Sequence, residues 1–353
     1  MRRFLGDVRT IYRLVNDPEQ SLSYYPDEPR KSRARMLADL LLWRMMRREV
    51  NEYYFCWGMD RVRGPRARDL LSYRQFRKLR DGRNRRGAAG LDYIALMRDK
   101  YLFALLLEAL GYGTPQLLAL LSPHGIEWLR PRRAAPLESL LDERGLDAFY
   151  KPRFGIKGEG VFSVRVVDGS LSVDGEAVAL DDLRARIGHG VLQQRVVQHP
   201  ALAALHPHSV NTLRVITVRD EHGTRTFSRP LFRIGFGGRV VDNGGAGGIQ
   251  VFVDTDSGRL RGPGWKLRGG TVARHPDTGI ALDGYEIPHF ARAAELAVQL
   301  HRDLPGLHTV GWDLAITESG PVFLEGNDNW AAGLRIGLEP GFKREFERLY
   351  ARA

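Results

Sequence analysis

The stretch Gly311–Trp330, which reads GWDLAITESGPVFLEGNDNW, constrains the architecture more than any other part of the chain. It holds two short apolar runs separated by Glu-Ser-Gly, and two such runs joined by a short glycine-containing link predict a β-hairpin. Asp313 lies on the first strand of this hairpin, and Glu325 and Asn327 lie on the second. Residues two apart on a strand point to the same face, so Glu325 and Asn327 project together, and strand pairing can bring Asp313 beside them.

These three side chains have the chemistry of a metal site. Two carboxylates and an amide oxygen are hard oxygen ligands, the set that suits Mg²⁺ held together with substrate phosphates. The alternative is a surface hairpin with ordinary acidic residues. The apolar neighbours argue against that alternative, because they predict strands packed on both faces, where an unpaired carboxylate is costly. These neighbours are Leu314, Ile316, Val322, Phe323 and Leu324.

The composition is that of an ordinary globular protein. The chain has 353 residues, of which 43% are apolar and 27% charged, and it is long enough for two or three subdomains. Its single cysteine, Cys56, excludes a disulfide framework and a cysteine-based zinc site, and it favours a reducing, cytoplasmic location. We expect no signal peptide at the N-terminus, and the most apolar window, Tyr101–Leu121, is too interrupted to cross a bilayer.

The positive charge is unevenly placed. The whole net charge of +11 lies in the first 100 residues, because the remainder carries 29 basic and 29 acidic side chains. Such a segment can contact nucleic acid, a membrane surface or an acidic partner, or it can be a solvated face of arginine-rich helices. Ala34–Glu49 predicts an amphipathic helix, for which packing on its own domain is favoured over lipid binding. The aromatic residues of Asn51–Trp57 do not alternate with basic ones, so nucleic acid is disfavoured.

A lysine- and glycine-rich hairpin follows a helix predicted at Leu91–Leu110. The stretch Ala148–Val167, AFYKPRFGIKGEGVFSVRVV, predicts two strands joined by a turn that contains Gly158 and two further glycines. Lys151 and Lys157 are two of only seven lysines in the chain, and they can supply compact charges to phosphates. Glycines let backbone N–H groups approach an anion, although a plain flexible turn is the alternative. The P-loop pattern GxxxxGK[ST] is absent, which excludes a Walker-type fold.

The strand Val191–Val197, VLQQRVV, enters a bend at His199 and Pro200. A strand that crosses into a bend can present backbone groups to an adenine edge, and Gln193 and Gln194 are candidate amide contacts. Exposed strand positions are the alternative for both glutamines. The segment HPALAALHPH that follows lacks the i, i+4 histidine pairing of helical zinc sites, so we do not expect it to bind a metal.

The strand Ser209–Val218, SVNTLRVITV, carries Asn211 and Arg214. If Arg214 is buried it needs an anionic partner, for which a phosphate or a carboxylate would serve. If it lies on an exposed edge it needs none. From residue 148 to residue 330 the pattern is strands with few helices, which predicts an α+β fold.

The order of these features resembles the ATP-grasp superfamily, and more narrowly its sugar-transfer-associated, hexapeptide transferase-like branch. The matching stretches lie in roughly residues 91–335 and read FYKPRFGIKGEGVF, LQQRVVQHP, HSVNTLRVIT, NGGAGGI, HPDTG and GWDLAITESGPVFLEGN. The resemblance implies an ATP-grasp fold, in which two α+β subdomains clasp ATP, with a helical N-terminal extension. We expect a basic helical region at 1–90, a subdomain with the lysines at 91–195, and a subdomain with the metal hairpin and a closing helix at 196–353.

The resemblance also implies roles for single residues. ATP phosphates would be bound by Lys151, Lys157 and Gly158, and adenine by Gln193, Gln194 and the backbone of Val196. One or two Mg²⁺ ions that bridge the β- and γ-phosphates would be held by Asp313, Glu325 and Asn327. The catalytic side would comprise Arg214, which stabilises the transferred phosphoryl group, and Asn211, which lines the acceptor side with the loop Asn243–Gly248.

Most enzymes of this superfamily phosphorylate a carboxylate with ATP and let an amine attack the acyl phosphate. The resemblance therefore implies an ATP- and Mg²⁺-dependent carboxylate–amine ligase with small-molecule substrates, acting in cell-surface polysaccharide or specialised-metabolite biosynthesis. One alternative is a phosphotransferase on the same fold, which releases a phosphorylated small molecule. An alternative of another class is a protein that binds nucleic acid or a membrane surface through the basic first 100 residues. The sequence makes no prediction of oligomeric state.

Overall fold

The computed structural model of the protein describes residues 2–85, 93–155, 158–237, 248–266, 270–331 and 341–351. Its elements are helices and two antiparallel sheets, and this α+β arrangement confirms the predicted fold class. None of the helices in these described ranges has both the length and the hydrophobicity needed to cross a bilayer.

The N-terminal region is helical. Its helices are α1 (Arg2–Asn16), α2 (Arg33–Arg47) and α3 (Tyr73–Arg85). Ser32 begins α2, because its side chain accepts a hydrogen bond from the Arg35 N–H. The inner faces of α1 and α2 meet the aromatic residues of the Asn51–Trp57 stretch in one core, so α2 packs on its own region as the sequence predicts. This core includes Trp265, whose ring lies 6.1 Å from that of Tyr24.

Two short helices replace the single helix predicted at Leu91–Leu110. They are α4 (Ile94–Arg98) and α5 (Lys100–Ala109). Asp99 separates them with an extended backbone, and its side chain accepts hydrogen bonds from the backbone N–H groups of Tyr101 and Leu102. The prediction of one helix was wrong at this point because an N-cap aspartate starts a new helix inside an apolar run. The break places Lys100 in the first turn of α5.

The first sheet is built from residues 117–194. Its eight strands pair in the order β3-β2-β1-β8-β4-β5-β6-β7, and every pairing is antiparallel. The helix α6 (Leu180–Arg186) packs against it. The strands are β1 (Leu117–Ser122), β2 (Gly125–Leu129), β3 (Arg132–Ala135), β4 (Asp147–Pro152), β5 (Phe162–Val167), β6 (Ser170–Val173), β7 (Glu176–Ala177) and β8 (Gly190–Gln194). The predicted lysine hairpin is β4 and β5.

The second sheet spans residues 212–327. Within the described ranges its strands pair in the order β14-β13-β12-β11-β9-β15-β16, and β10 pairs with β9. They are β9 (Thr212–Asp220), β10 (Gly223–Thr226), β11 (Leu231–Ile234), β12 (Ile249–Val253), β13 (Leu260–Lys266), β14 (Thr271–Val272), β15 (Thr309–Thr317) and β16 (Gly320–Asn327). The accompanying helices are α7 (Pro200–Leu205), α8 (Phe290–Asp303) and α9 (Phe342–Ala351).

The two faces of the second sheet are buried by different elements. On β9, Leu213 and Val215 point into the core formed with α8, whereas Ile216 and Val218 point into the core formed with α9 and residues 71–76. Arg214 shares the face of Ile216 because side chains alternate along a strand. A polar group at this position is therefore enclosed by apolar layers on a central strand.

Candidate functional site

The centre of the candidate site is the carboxylate of Asp313, which is buried on β15. Arg214 bonds both of its oxygens, with Nη2 at 2.7 Å from Oδ2 and Nε bonded to Oδ1. Arg233 Nη1 lies 3.3 Å from Oδ2, and Asn327 Nδ2 donates to the same oxygen at 3.2 Å. Arg214 is thus buried and paired with a carboxylate, and the alternative of an exposed edge position is wrong, because β9 lies between β11 and β15.

Strand register produces this arrangement. Asp313 on β15 pairs with Arg214 on β9 and, on its other side, with Glu325 on β16. Gly311 pairs with Asn327, so the amide lies one step along the same face. The hairpin predicted at Gly311–Trp330 is confirmed, and the three candidate metal ligands lie together.

The two carboxyl groups perturb each other. Burial acts to raise the pKa of Asp313, but the guanidinium groups of Arg214 and Arg233 outweigh it and hold that pKa well below its ordinary value. Burial and the neighbouring Asp313 carboxylate raise the pKa of Glu325. The two side chains also share a hydrogen bond. Two closely spaced carboxyl groups, one of which has a raised pKa, are a donor set that a divalent cation fits, since the cation supplies positive charge between them.

Two lysines face this pair from outside the second sheet. Burial lowers the pKa of Lys151 on β4 to about 8, although Glu325 acts in the opposite direction. Burial lowers the pKa of Lys100 as well, again against Glu325. Lys100 Nζ donates to the carbonyl oxygen of Gly155 at 2.6 Å, which ties it to the glycine turn. Compact cations that lie between two sheets and beside carboxylates suit the phosphates of a metal-bound nucleotide.

Sequence reasoning missed Lys100 and Arg233. A signal for Lys100 was present, because Asp99 is an N-cap residue type and Lys100 is one of only seven lysines. Arg233 gave no comparable signal. It meets Asp313 only because β11 pairs with β9 in the sheet, which its own sequence does not show.

A cavity of about 350 Å³ lies between the two sheets, beside the lysine strand. This volume is within the range of small-molecule sites. Four of the predicted nucleotide residues line it, namely Lys151, Gln193, Gln194 and Val196. Gln193 is buried and its Nε2 donates to the Pro115 carbonyl at 3.4 Å, whereas the side chain of Gln194 is exposed. The second sheet contributes Thr212 and Leu324 to the lining.

The glycine-rich predictions are only partly within the described residues. Gly158 is in the turn between β4 and β5 with φ of 72°, a left-handed conformation that glycine adopts without a Cβ clash. Lys157 lies outside the described residues. Of the loop Asn243–Gly248, only Gly248 lies inside them, and it is buried next to β12.

Asn211 is fully buried and its amide is occupied by protein groups. Its Nδ2 lies within hydrogen-bond distance of Gln198 Oε1 (3.0 Å) and of the Leu202 and His206 carbonyls (2.8 and 3.1 Å). Its Oδ1 accepts from the Gly235 N–H at 3.2 Å. The hydrogen bonds of Asn211 therefore connect α7 to the end of β11, and its side chain does not contact Asp313.

Residues near the N-terminal region fasten the end of the Gly311–Trp330 hairpin. Arg98 forms a two-pronged ion pair with Asp328, at 3.0 and 2.8 Å. Asn84 Nδ2 donates to the carbonyl oxygens of Thr309 and Asp328 at 3.0 and 2.9 Å. Asn84 Oδ1 accepts from the N–H groups of His308 and Thr309. One buried amide thus fastens the start of β15 to the residues that follow β16.

His206, His275 and Asp277 form a second group of metal-ligand types, with one ligand atom from each within 4.8 Å of the others. The ring of His275 is already used on both sides. Its Nε2 lies 2.7 Å from the Gly235 carbonyl, and its Nδ1 accepts from the N–H groups of Asp277 and Thr278 at 3.3 and 3.4 Å. These bonds shape the HPDTG loop and leave the imidazole of His275 no lone pair for a cation.

Among known proteins, a family model described as sugar-transfer associated ATP-grasp matches residues 91–349 of this chain. No curated protein matches the chain.

Two similar solved structures are enzymes. One is N5-carboxyaminoimidazole ribonucleotide synthetase from Thermotoga maritima, with 16% identity and a TM-score of 0.35 over 67% of this chain and 42% of that chain. The other is D-alanine–D-alanine ligase from Bacillus anthracis complexed with ATP, with 11% identity and a TM-score of 0.39 over 72% of this chain and 65% of that chain. The chain therefore spans less than two thirds of the length of either protein.

Proposed function

Because the chain belongs to the sugar-transfer associated ATP-grasp family, we propose that it is an ATP- and Mg²⁺-dependent ligase that joins a carboxylate to an amine through an acyl phosphate. The family membership confirms the resemblance found in the sequence. The proposed subdomains that clasp ATP are residues 91–195 and 196–353. They lie on either side of the point where the chain passes from the first sheet to the second. Residues 1–90 are the proposed N-terminal extension.

The observation that carries the proposal is the meeting of Asp313 and Glu325 with Lys100 and Lys151 between the two sheets. Asp313 is paired with Arg214 and Arg233, but the pKa of Glu325 is raised and the pKa values of the two lysines are lowered, so Glu325 and the lysines lack a full complement of opposite charge. A nucleotide with its cation meets both needs at once, because its phosphate oxygens pair with the lysines and its cation pairs with the carboxylates.

The proposed roles follow from placement. Asp313, Glu325 and Asn327 would hold Mg²⁺, which when bound polarises the phosphate oxygens and neutralises their charge. Lys100 and Lys151 would hold the phosphates, and the cavity beside Gln193 would take the base. We place the nucleotide base there because this cavity opens directly beside Lys151.

Phosphoryl transfer asks mainly for positioning and for neutralisation of the charge that spreads over the transferred group. A carboxylate oxygen of the acceptor attacks the γ-phosphorus, the bond to the bridging oxygen breaks, and ADP leaves. The amine then attacks the acyl carbon, loses a proton and expels phosphate. Arg214 and Arg233 meet at Asp313 and can donate to the transferred phosphoryl group when the carboxylate releases them.

The proposed substrates are a small-molecule carboxylate and an amine, and the family description favours a product in cell-surface polysaccharide assembly. We propose a cytoplasmic location, where ATP is abundant and the buried thiol of Cys56 stays reduced.

The proposal is tested by incubating the purified protein with Mg²⁺, ATP and pooled carboxylates and amines, and by scoring all products by mass. ADP, phosphate and a dehydrated adduct in equal amounts are expected. A phosphorylated acceptor without an amide would replace the ligase with the phosphotransferase alternative. Lys151→Ala should raise the KM for ATP at least about tenfold, because a buried charge contact to phosphate is lost, and an unchanged KM would remove Lys151 from the nucleotide site.

A further inference from the structure

Large apolar side chains stand exposed on the first two helices. They are 46–64% exposed and comprise Phe4, Leu5, Leu42, Met45 and Met46, which we call the helical patch. Other side chains of the two helices, among them Ile11, Val15 and Leu40, are buried in the N-terminal core. The patch residues are therefore not needed to hold the helices together, and they remain in water at a free-energy cost unless something covers them.

The side chains of the patch lie at one end of the helix pair. Arg44 of α2 forms an ion pair with Asp7 of α1 at 2.6 Å, and its guanidinium lies 5.6 Å from the ring centroid of Phe4. The first half of α1 therefore lies beside the last turns of α2. Met45 and Met46 follow Arg44 directly, so the apolar side chains of both helices lie at the same end of the pair.

Positive charge surrounds the patch. Arg9 and Arg13 on α1, and Arg35 and Arg48 on or next to α2, are exposed. The acidic side chains of the two helices, Asp7 and Asp39, are both engaged in ion pairs. This arrangement accords with the +11 excess in the first 100 residues, which has no counterpart in the rest of the chain.

We propose that the helical patch docks the protein onto a membrane surface that contains anionic lipid. Leucine, methionine and phenylalanine side chains can enter the boundary between headgroups and acyl chains while the surrounding arginines meet lipid phosphates, which is the mode of interfacial amphipathic helices. The charge complementarity decides the occupant. A symmetric dimer through the patch would bring two sets of arginines face to face. Nucleic acid would leave the aliphatic side chains without a stacking partner.

Docking would also orient the candidate site. The N-terminal core that carries the patch is joined to Trp265 on β13. Trp265 pairs with Gln250, and Gln250 pairs with Arg233, so Trp265 and Arg233 are two strands apart, or about 10 Å, on the same face of the sheet. The contact between Arg233 and Asp313 in the candidate site is thus on the face of the sheet that carries the N-terminal core.

The test is co-sedimentation of the full-length protein with vesicles of phosphatidylcholine, with and without phosphatidylglycerol. Binding is expected only to the anionic vesicles, and it should weaken as salt rises. Leu42→Glu with Met45→Glu should reduce binding at least about tenfold, because two insertions are lost and two repulsive charges gained. The matched control is Leu102→Glu with Val167→Glu, which alters exposed apolar residues outside the patch and should bind like the wild type.

Folding of each variant is checked by thermal unfolding. A second double variant, Arg9→Glu with Arg13→Glu, changes only charge on the solvent-facing side of α1 and tests the contribution of charge to vesicle binding. Absence of binding to anionic vesicles would overturn the proposal. Equal binding by the patch variant and the wild type would also overturn it. Self-association of the wild type that disappears in the patch variant, without vesicle binding, would assign the patch to a dimer. None of these measurements needs the ligase reaction, so failure here leaves the proposed function untouched.

Discussion

Replacement of Glu325 by glutamine separates the function of this side chain from its cost to the fold. Glu325 is partly buried directly opposite Asp313, and its pKa is raised by burial and by that neighbour. A carboxyl group whose pKa is higher in the folded than in the unfolded protein opposes folding at neutral pH. Glutamine keeps the size and the hydrogen bonding but never carries the charge. Glu325→Gln should therefore stabilise the fold while it removes a proposed metal ligand.

The magnitude follows from the cross-strand distance. Side chains directly opposite on antiparallel strands lie about 5 Å apart, and two unit charges at that distance repel by roughly 3 kcal/mol at an effective dielectric constant of 20. The attraction of Glu325 to Arg214 and Lys100 reduces this cost, so we expect a gain of about 1 kcal/mol in the free energy of unfolding at pH 7. The gain should vanish well below the ordinary pKa of glutamate, where the group is protonated in both states.

The function should change in the opposite direction. Loss of outer partners of metal ligands costs 10–100-fold, so loss of a direct ligand should reduce turnover by at least about 100-fold. Without an identified acceptor, the assay is thermal unfolding with ATP alone and with ATP and Mg²⁺. A saturating ligand at 100 times its Kd adds about 2.7 kcal/mol, which is a shift of about 4 °C for a chain of this size. Wild-type protein should show an increment from Mg²⁺ that Glu325→Gln lacks.

The matched control is Glu318→Gln, which makes the same change at an exposed position in the turn of the same hairpin. It should alter neither stability nor the Mg²⁺ increment. A Glu325→Gln protein that keeps the full Mg²⁺ increment would refute the metal assignment. A variant that is less stable than the wild type at pH 7 would refute the electrostatic reasoning, whatever its effect on ATP.

Three further predictions concern the residues around this pair. In its proposed role Lys151 binds phosphate only when charged, and burial lowers its pKa to about 8. The affinity for ATP, measured by calorimetry, should therefore be retained below pH 8 and should fall as the pH rises above 8. An affinity that stays constant up to pH 10 would contradict this role of Lys151. Lys100→Ala should weaken ATP binding at least about tenfold without loss of stability, since burial lowers the pKa of Lys100 and its charge therefore opposes folding at neutral pH. Lys78→Ala, at an exposed site on α3, should leave ATP binding unchanged in the same titrations. Asn84→Ala should lower the free energy of unfolding in urea by about 3 kcal/mol, because buried backbone groups lose their partner, against less than about 1 kcal/mol for the partly exposed Asn16→Ala; equal losses would show that the Asn84 bonds contribute little.

Local pattern predicted the parts of the site that a single hairpin creates. The pairing of Asp313 with Glu325 follows from two apolar runs and a short link, and the alternation of side chains fixes the shared face with Asn327. The family resemblance extended this to Lys151 and the strand around Gln193, which line one cavity. Their roles in nucleotide binding stay predictions until ligand binding is measured.

The parts that local pattern could not predict depend on which elements meet in space. Arg233 reaches Asp313 because β11 lies next to β9 in the sheet. The sequence of neither strand indicates which strands become neighbours. Asn84 bonds the backbone of Thr309 across 225 residues, and no spacing rule connects the two. Lys100 lies between these cases, since the cap at Asp99 was visible in the sequence but its meeting with Glu325 was not.

If Asp313 holds Mg²⁺ as proposed, its ion pairs predict that metal and nucleotide bind as one unit. Asp313 is bonded to Arg214 and Arg233, and a buried guanidinium that loses its carboxylate is left as an uncompensated charge. Asp313 can therefore turn to a cation only if phosphate oxygens take over the two arginines in the same event. Conversely, phosphate that enters without a cation meets Asp313 as a like charge. Each half of the ligand removes the penalty of the other, so the ion pairs of Asp313 bias the site against either half alone.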